Sequence, residues 1–489
     1  MTVGGRATRP FELLSADELD SIHSATLQVL QTVGIEFHDK RSLTVLEEAG
    51  AEVDHSNSKA SFPDELVKEA MRNAPHSITL CGRTSDRDVR LEGSHVFFAA
   101  GANALYILEH DGRQIREANL EDCRKLARLA DALDNVHVYL TLASPQDVDA
   151  RGVDRLRCAV ALQNTTKHFF HDAQGEAGAR DQIELASVAA GGFDMLVKRP
   201  LLSLAPCITS PFRWGGEALE VLRTMASEGL PQIISSEPLS GATSPVTLAG
   251  SLVQQNAELL SGLVLAQSVR RGCPVALCTF PSVMDMRTAN LAAGAVELGL
   301  MTAGMAQLMR RYGLPYVGTG GVADSKTTDE QAAYEKAITL LLPALAGANL
   351  IHLSSGMLES ILTVSYEQVV IDNEIAGMVL RALRGIEVSA ETLASEVILR
   401  TGAGGHFLKD IHTLRHLREE HFIPRLTDRS TRAAWKRSGA EDVLQRAREE
   451  VDRILAEHEP AALDRDAVAA MDSSLNRMLE KARRGKGGE

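Results

Sequence analysis

Aromatic residues are the scarcest material in this chain. Phe, Trp and Tyr together make up 4% of its 489 residues, so a core must be built mainly from Leu, Ala, Val and Ile. A basic excess is missing too. The formal net charge is −14, which argues against general nucleic-acid binding, because that needs a cationic surface to displace counterions from phosphates. The six cysteines (Cys81, Cys123, Cys158, Cys207, Cys273 and Cys278) include no CxxC pair, and their spacing fits neither a disulfide framework nor a zinc knuckle. Buried free thiols in a reducing cytosol are the expectation. No apolar h-region follows the start MTVGGRATRPFELL, so no secretory signal is expected. The longest apolar run, ITLLLPALAGANLIHL (338–353), is broken by proline, asparagine and histidine and reads as a helix then a strand, not a membrane span. No GxxxxGK[ST] loop, no GxGxxG loop in context and no GxSxG turn is present. What remains is an ordinary globular composition, 44% hydrophobic and 24% charged, read as a cytoplasmic protein without a membrane or nucleic-acid partner.

What is there is alternation. Residues 15–33 form a helical stripe starting at a Ser15 cap, 63–74 a short helix with Pro63 near its first turn, and 96–108 two strands around Gly101–Asn103 with a hairpin signal. A helix over 119–133, capped by Asn119, follows. Then come short apolar runs at 136–143, 167–173, 201–208, 232–239, 275–280, 315–320 and 349–356, starting 31 to 43 residues apart. Helical stretches such as 152–165, 217–229 and 252–272 lie between them. This is the βα repeat of a parallel sheet, and over more than 200 residues it predicts an α/β fold closed into a (β/α)₈ TIM-type barrel. Seven strands are counted; the eighth is either 96–100 or GIEV (385–388). The chain divides into an N-terminal α/β segment (1–115), the barrel (116–395) and a helical C-terminal extension (396–489), whose tail 481–489 is expected to be disordered.

Several strands end in small or turn-forming residues: ASPQ (143–146), DAQG (172–175), TSP (209–211), EPLSGATSP (237–245), GTGG (318–321) and SSG (354–356). In a barrel all of these face one mouth, where glycine and serine let backbone approach a ligand. The junction at 316–337 is the most polar of them. Thr328 and Gln331 fit a capping box there, and Gln331 and Glu335 share a helix face toward the mouth. His168 and His171 are three apart on a strand and point to opposite faces, so Asp172 at the strand end is the better ligand candidate. His412 and His416 have zinc-compatible i,i+4 spacing, but the glutamate of HExxH is absent, and no metal site is expected. Asp372 and Glu374 face different directions on one helix, so one of them is expected inside as an ion-pair partner.

The succession GLPYVGTGGVADSKTTDEQAAYEKA, LAGANLIHLSSGMLES, YEQVVIDNEIAGMVLRALRGIEV and GGHFLKDIHTLRHLREEHFIPRLTDRSTRAAWKRSGAED resembles the trimethylamine methyltransferase family, and the likeness extends to 34–54 and 97–113. With only the twenty standard residues, the chain resembles the branch without pyrrolysine. The resemblance implies a barrel enzyme that moves a methyl group from a quaternary amine, such as glycine betaine or a related betaine, to the Co(I) of a corrinoid (cobalamin). That corrinoid is carried by a separate cognate protein, so no tightly bound cofactor is expected in this chain; a homo-oligomer is expected. A quaternary nitrogen leaves as a neutral tertiary amine and needs no proton. The protein must therefore hold the ammonium in line and exclude water. Acids or aromatic faces suit the cation, and a betaine carboxylate would need cationic or N–H donors. The expected substrate contacts are Asp324, Gln331, Glu335, His352 and Glu359, with Trp214 and Phe98 as aromatic faces. Gly318, Gly320, Gly321 and Lys326 are the expected corrinoid-facing mouth, and no catalytic residue is singled out. Two other readings compete. A metal-dependent barrel hydrolase or lyase would carry stoichiometric zinc, and a non-catalytic betaine-binding protein would bind tightly without methyl transfer.

Overall fold

In a computed structural model the described residues are 4–110 and 112–484. Eight short strands organise the chain: β1 (His95–Phe98), β2 (Val138–Leu140), β3 (His168–His171), β4 (Leu202–Leu204), β5 (Gln232–Ser236), β6 (Val275–Thr279), β7 (Tyr316–Thr319) and β8 (Leu350–His352). They pair in parallel in the order β1-β8-β7-β6-β5-β4-β3-β2. A parallel bridge between Ala99 and Val138 brings the two ends of this order together. There the Ala100 amide donates to the Val138 carbonyl at 3.1 Å, and the His137 amide to the Phe98 carbonyl at 2.7 Å. The result is a mixed α/β fold around a curled parallel sheet.

Three helices precede the sheet, α1 (Ala16–Thr32), a short one at Lys40–Glu48, and α2 (Asp64–Asn73). A long helix then follows each strand: α3 (Leu120–Ala132), α4 (Val153–Asn164), α5 (Gly175–Ala190), α6 (Gly216–Glu228), α7 (Leu248–Val269), α8 (Val296–Tyr312), α9 (Glu330–Ala346) and α10 (Tyr366–Leu383), with a further short helix at Phe193–Lys198 after α5. Beyond them lie α11 (Ser395–Thr401), α12 (Ile411–Glu420), α13 (Val443–Glu457) and α14 (Arg465–Arg484). Local chemistry sets many of these bounds. Ser15 caps α1 and Asn119 caps α3, each in a reciprocal capping box with Glu18 and Asp122. All five residues of β5 and of β6 are buried, as expected of strands covered on both faces. Successive strand residues go to opposite sides. Phe97, Ala99 and Cys278 belong to one apolar cluster, while Phe98, Leu277 and Ile351 belong to another shared with α1, α2 and α7.

Four expectations need correction or completion. The eighth strand is the run at 95–98; residues 385–388 form no strand. The hairpin around Gly101–Asn103 does not form, because both edges of β1 are taken, by β8 and by the bridge to β2. The strand Tyr106–Leu108 pairs instead with Thr363–Val364 and Ile115–Glu117. Helix α9 is capped by Asp329, whose carboxylate accepts the Ala332 amide at 2.9 Å, not by Thr328. Residues 481–484, expected to be disordered, end α14, and residues 485–489 lie outside the described residues. Helix α13 packs on α10 and α3, and α14 on α4 and α5. No helix among the described residues is long and apolar enough to cross a membrane.

Candidate active site

The C-terminal ends of the parallel strands surround a cavity of about 260 Å³. Six of them contribute to its wall. Leu140 comes from β2, Phe170, His171 and Asp172 from β3 and its exit, and Ala205 and Cys207 from the exit of β4. Ser235 and Glu237 come from β5 and its exit, Cys278 and Phe280 from β6, and His352 and Leu353 from β8. Asn103 and Ile361 close it from the loops after β1 and β8. Three of these lining residues have left-handed backbone: Asn103 at φ +57°, Leu353 at +63° and Ile361 at +74°. Asparagine tolerates that region, whereas leucine and β-branched isoleucine do so only under strain.

Two carboxylates open into the cavity. Glu237 is exposed through the hollow it faces, with protein packed densely behind its carboxylate. Burial pushes its carboxyl up from the ordinary glutamate range, and a hydrogen bond from the Ser235 hydroxyl at 3.2 Å opposes this. Asp172 is in the opposite condition. Burial would raise it, but His171 Nε2 at 2.9 Å and the Arg157 guanidinium at 3.3 Å outweigh burial and hold it well below the carboxylate range. His171 itself is lowered by burial and by Arg157, so we take the pair as neutral imidazole beside ionised Asp172, with Arg157 the standing positive charge.

His352 is lowered to about 4 by burial and is neutral at physiological pH. Its tautomer follows from its neighbours. The Thr319 hydroxyl gives its one hydrogen to the Thr279 carbonyl at 2.7 Å, so its 2.6 Å contact with His352 Nε2 makes Nε2 the donor. His352 Nδ1 is then a buried acceptor with no partner in the protein. Burial raises both lining thiols, Cys207 and Cys278, so neither offers a thiolate near neutral pH. Among the described residues, no group of three or more His, Cys, Asp or Glu side chains is placed to hold a metal ion. The wall therefore offers negative charge, aromatic faces from Phe170 and Phe280, and no poised nucleophile. That chemistry suits a small cation.

Of the residues expected from the sequence, His352 lines this cavity. Asp324, Gln331, Glu335 and Glu359 come together beside it in a brace. Glu335 accepts the Asp324 amide at 2.7 Å and the Gln331 side chain at 2.9 Å. Asp324 accepts the Ala293 amide at 2.8 Å and the Ser360 hydroxyl at 2.6 Å. The Glu359 amide donates to the Ser325 carbonyl at 2.8 Å, and its carboxylate accepts from Thr363. Together they pin the loop that carries Ile361. A second brace runs through the core. Lys336 donates to the Gly321 carbonyl at 2.8 Å and to Asp372 at 2.9 Å, and Asp372 also accepts the Gly356 amide. Asp372 is thus the inward acid of its pair, while Glu374 accepts the amides of Arg425, Leu426 and Thr427.

Trp214 and Phe98, expected at the ligand, are instead fully buried between the sheet and its helices, with Trp214 Nε1 bonded to Ser261 Oγ at 3.0 Å. Gly318 and Gly320, expected at the mouth, lie against helices: an added Cβ would meet Thr302 of α8 at 2.5 Å or the Thr339 carbonyl of α9 at 2.5 Å. Gly321 lies against the Ser354 backbone at 2.9 Å. Their lack of a side chain serves packing. Lys326 is exposed and donates to the Asp324 carbonyl at 2.8 Å. Glu237, Cys207, Cys278 and Asn103 were not singled out from the sequence. The available signal was position, since Glu237 opens the strand-end segment EPLSGATSP.

Residues 3–482 match the family model described as trimethylamine methyltransferase (MTTB). A relative named trimethylamine methyltransferase MttB, from Desulfitobacterium hafniense (strain DSM 10664 / DCB-2), is 37% identical over 94% of this chain and 92% of its own length. One named glycine betaine methyltransferase, from D. hafniense (strain Y51), is 35% identical over 99% of both. Among solved structures, the Methanosarcina barkeri monomethylamine methyltransferase (MtmB) superposes with a TM-score of 0.51 at 11% identity, covering 98% of this chain and 88% of that one. That likeness concerns the fold.

Proposed function

The chain belongs to the trimethylamine methyltransferase family and is a methyltransferase. On that premise we propose that it takes a methyl group from a quaternary amine, glycine betaine or a related compound, and passes it to a corrinoid carried by a separate protein. We read the curled sheet as a closed (β/α)₈ barrel, joined at the Ala99–Val138 bridge, with an N-terminal α/β segment that lends it β1 and a helical C-terminal extension. We place the protein in the cytoplasm, where its six free thiols stay reduced.

The observation that carries this reading is the pair of carboxylates, Glu237 and Asp172, in a small half-open cavity. An ammonium entering it gives up water and gains two acids. Because an opposite charge favours the ionised form, the cation also draws Glu237 back toward its charged state. Phe170 and Phe280 add ring faces. No lysine or arginine is among the described lining residues, so we assign any carboxylate arm of the substrate to the amide of Asn103. A volume of about 260 Å³ suits a small amine and not a corrin ring, which fits a cofactor that arrives on another protein. When bound, that cofactor supplies the Co(I) nucleophile. This chain's part is to orient the nitrogen, exclude water and let a neutral tertiary amine leave. Neutral His352 delivers no proton, and none is needed.

The test is a panel of trimethylamine, glycine betaine, choline and other quaternary amines with Co(I) cobalamin. The cobalt absorption bands and the demethylated amine are followed together. Turnover with a quaternary amine that falls in Glu237→Gln is expected. No turnover with any quaternary amine, or full activity in both Glu237→Gln and Asp172→Asn, would refute the proposal.

A further inference from the structure

Between Leu383 and Leu426 no residue is buried. This arm, residues 384–425, includes α11 and α12, and neither helix has a buried residue. Yet it is rich in large apolar side chains. Ile386 is 87% exposed, Leu399 80%, Leu408 79% and Leu414 65%, with Val388 and Ile423 also mostly in solvent. The arm has internal order: Arg400 pairs with Asp410, and His416 Nε2 lies 3.3 Å from Glu391. It is tied to the body through Arg381, which donates to the Glu420 carbonyl at 2.7 Å and pairs with its carboxylate at 3.1 Å.

Fixing a backbone costs roughly 1–2 kcal/mol per residue, and a segment without buried side chains does not offset that alone. Eleven large apolar side chains of the arm are exposed, about half of the roughly 20–30 residues that a standard specific interface takes from each partner. Apolar residues scattered singly over a surface need no cover, but this concentration in one 42-residue segment calls for it.

Position decides what covers it. The arm leaves the C-terminal end of α10. There Arg381, Arg384 and Phe422 border a hollow shared with Asp134 and Asn135, which precede β2, and with Gly5–Arg6, which pair with the start of β1. That is the N-terminal end of the strands, and the cavity lies at the other end. A protein seated at the root of the arm lies at the far end of the strands from the cavity and cannot also bring a reactive group there. A second copy of the chain has no such requirement. Charges of both signs flank the apolar line of Ile411, Leu414 and Leu417, with Arg415 and Arg418 beside Glu419, so the face carries its own counter-charges for a self-complementary contact. We propose that arm 384–425 is the surface through which two copies of this chain pair, arm against arm about a two-fold axis.

The test uses the full-length protein in sedimentation equilibrium and light scattering. The wild type is expected as an assembly of paired chains. Leu399→Asp combined with Leu414→Asp, both at exposed positions, is expected to weaken pairing at least about 100-fold, given what burying each leucine contributes. Circular dichroism and thermal unfolding show whether the variant is folded. Leu408→Cys, given a bifunctional maleimide, is expected to link two chains; linkage lost on adding the two aspartates supports the contact without relying on size. A wild type that stays a single chain at about 10 µM overturns the proposal. So does an assembly unchanged in the double variant, or a double variant that stays paired but no longer binds its corrinoid protein. These readouts involve no methyl transfer, so they stand or fall separately from the activity.

Discussion

Replacing Lys336 with methionine isolates the buried brace behind the cavity. The side chain of Lys336 is 1% exposed and that of Asp372 2%, with 2.9 Å between Nζ and Oδ2. Methionine keeps the length of the stem and removes the charge. Asp372 then retains the Gly356 amide and the Gln368 side chain as donors but loses its cation, and the Gly321 carbonyl loses its donor. Removing one partner of a buried pair costs roughly 3–5 kcal/mol. Unfolding entropy of about 2.1 cal/mol/K per residue makes this a fall in Tm of about 3–5 °C for a chain of this length. The loss should also depend on pH. Burial already raises Asp372, and losing Lys336 raises it further. A folded-state pKa above the unfolded value near 3.9 contributes stability at low pH that is lost as pH rises through the folded value. The gap from wild type should therefore narrow as pH falls from 7 toward about 4. Lys336→Met with Asp372→Leu should regain most of the loss, because an apolar pair leaves no orphaned charge. Thermal unfolding of the four proteins of this cycle, at two pH values, is the assay. A single variant within about 1 kcal/mol of wild type, or a double variant no better than the single, would refute the reasoning.

Glu237→Gln should raise the KM for a quaternary amine by about 10- to 100-fold with little change in Tm, since it removes charge at a hydrogen-bonded cavity position. Steady-state kinetics beside a melting curve checks this. Because burial raises Glu237, amine binding by the wild type should weaken as pH falls through that raised value, and calorimetric titration from neutral pH downward should lose this dependence in Glu237→Gln. Trp214→Phe should cost about 1 kcal/mol through its bond to Ser261 and leave KM unchanged; a raised KM would restore it to the site. Asp324→Ala and Glu335→Ala should lower kcat by loosening the loop that carries Ile361 while the protein stays folded, and unchanged turnover in both would remove the brace from function.

The sequence made local features legible and long-range meetings much less so. Ser15 and Asn119 announce their helices because a cap depends on residues within one turn. The strands announce themselves by apolar runs at regular intervals. Which strand ends meet around a cavity depends on how the sheet curls, and no short stretch encodes that. Glu237 therefore looked like one acid among 65 Asp and Glu residues. Trp214 was misread for a related reason. An indole near a strand end suits a ligand cage and a core equally well, and only the Ser261 partner decides between them. Gln331 and Glu335 share a helix face as their spacing implied, and Asp324 meets them from the preceding loop, but the lone pairs of these acids are taken by neighbouring amides and hydroxyls. The apolar residues of the arm at 384–425 could equally have packed on the body, so their exposure was invisible in the residues alone.

The left-handed residues of the cavity wall set a limit on improving this protein. Glycine at Leu353 or Ile361 would adopt the same backbone at no steric cost, and relief of roughly 1–2 kcal/mol at each is the ordinary reward for that exchange. A search for thermostable variants would be drawn to these two positions. Each gain would also delete a side chain that shapes the chamber, leaving a tetrahedral ammonium room to tumble between its two acids. Heat resistance and a well-aimed methyl group are therefore set against each other at these positions, and a variant selected for the first should be slow in the second.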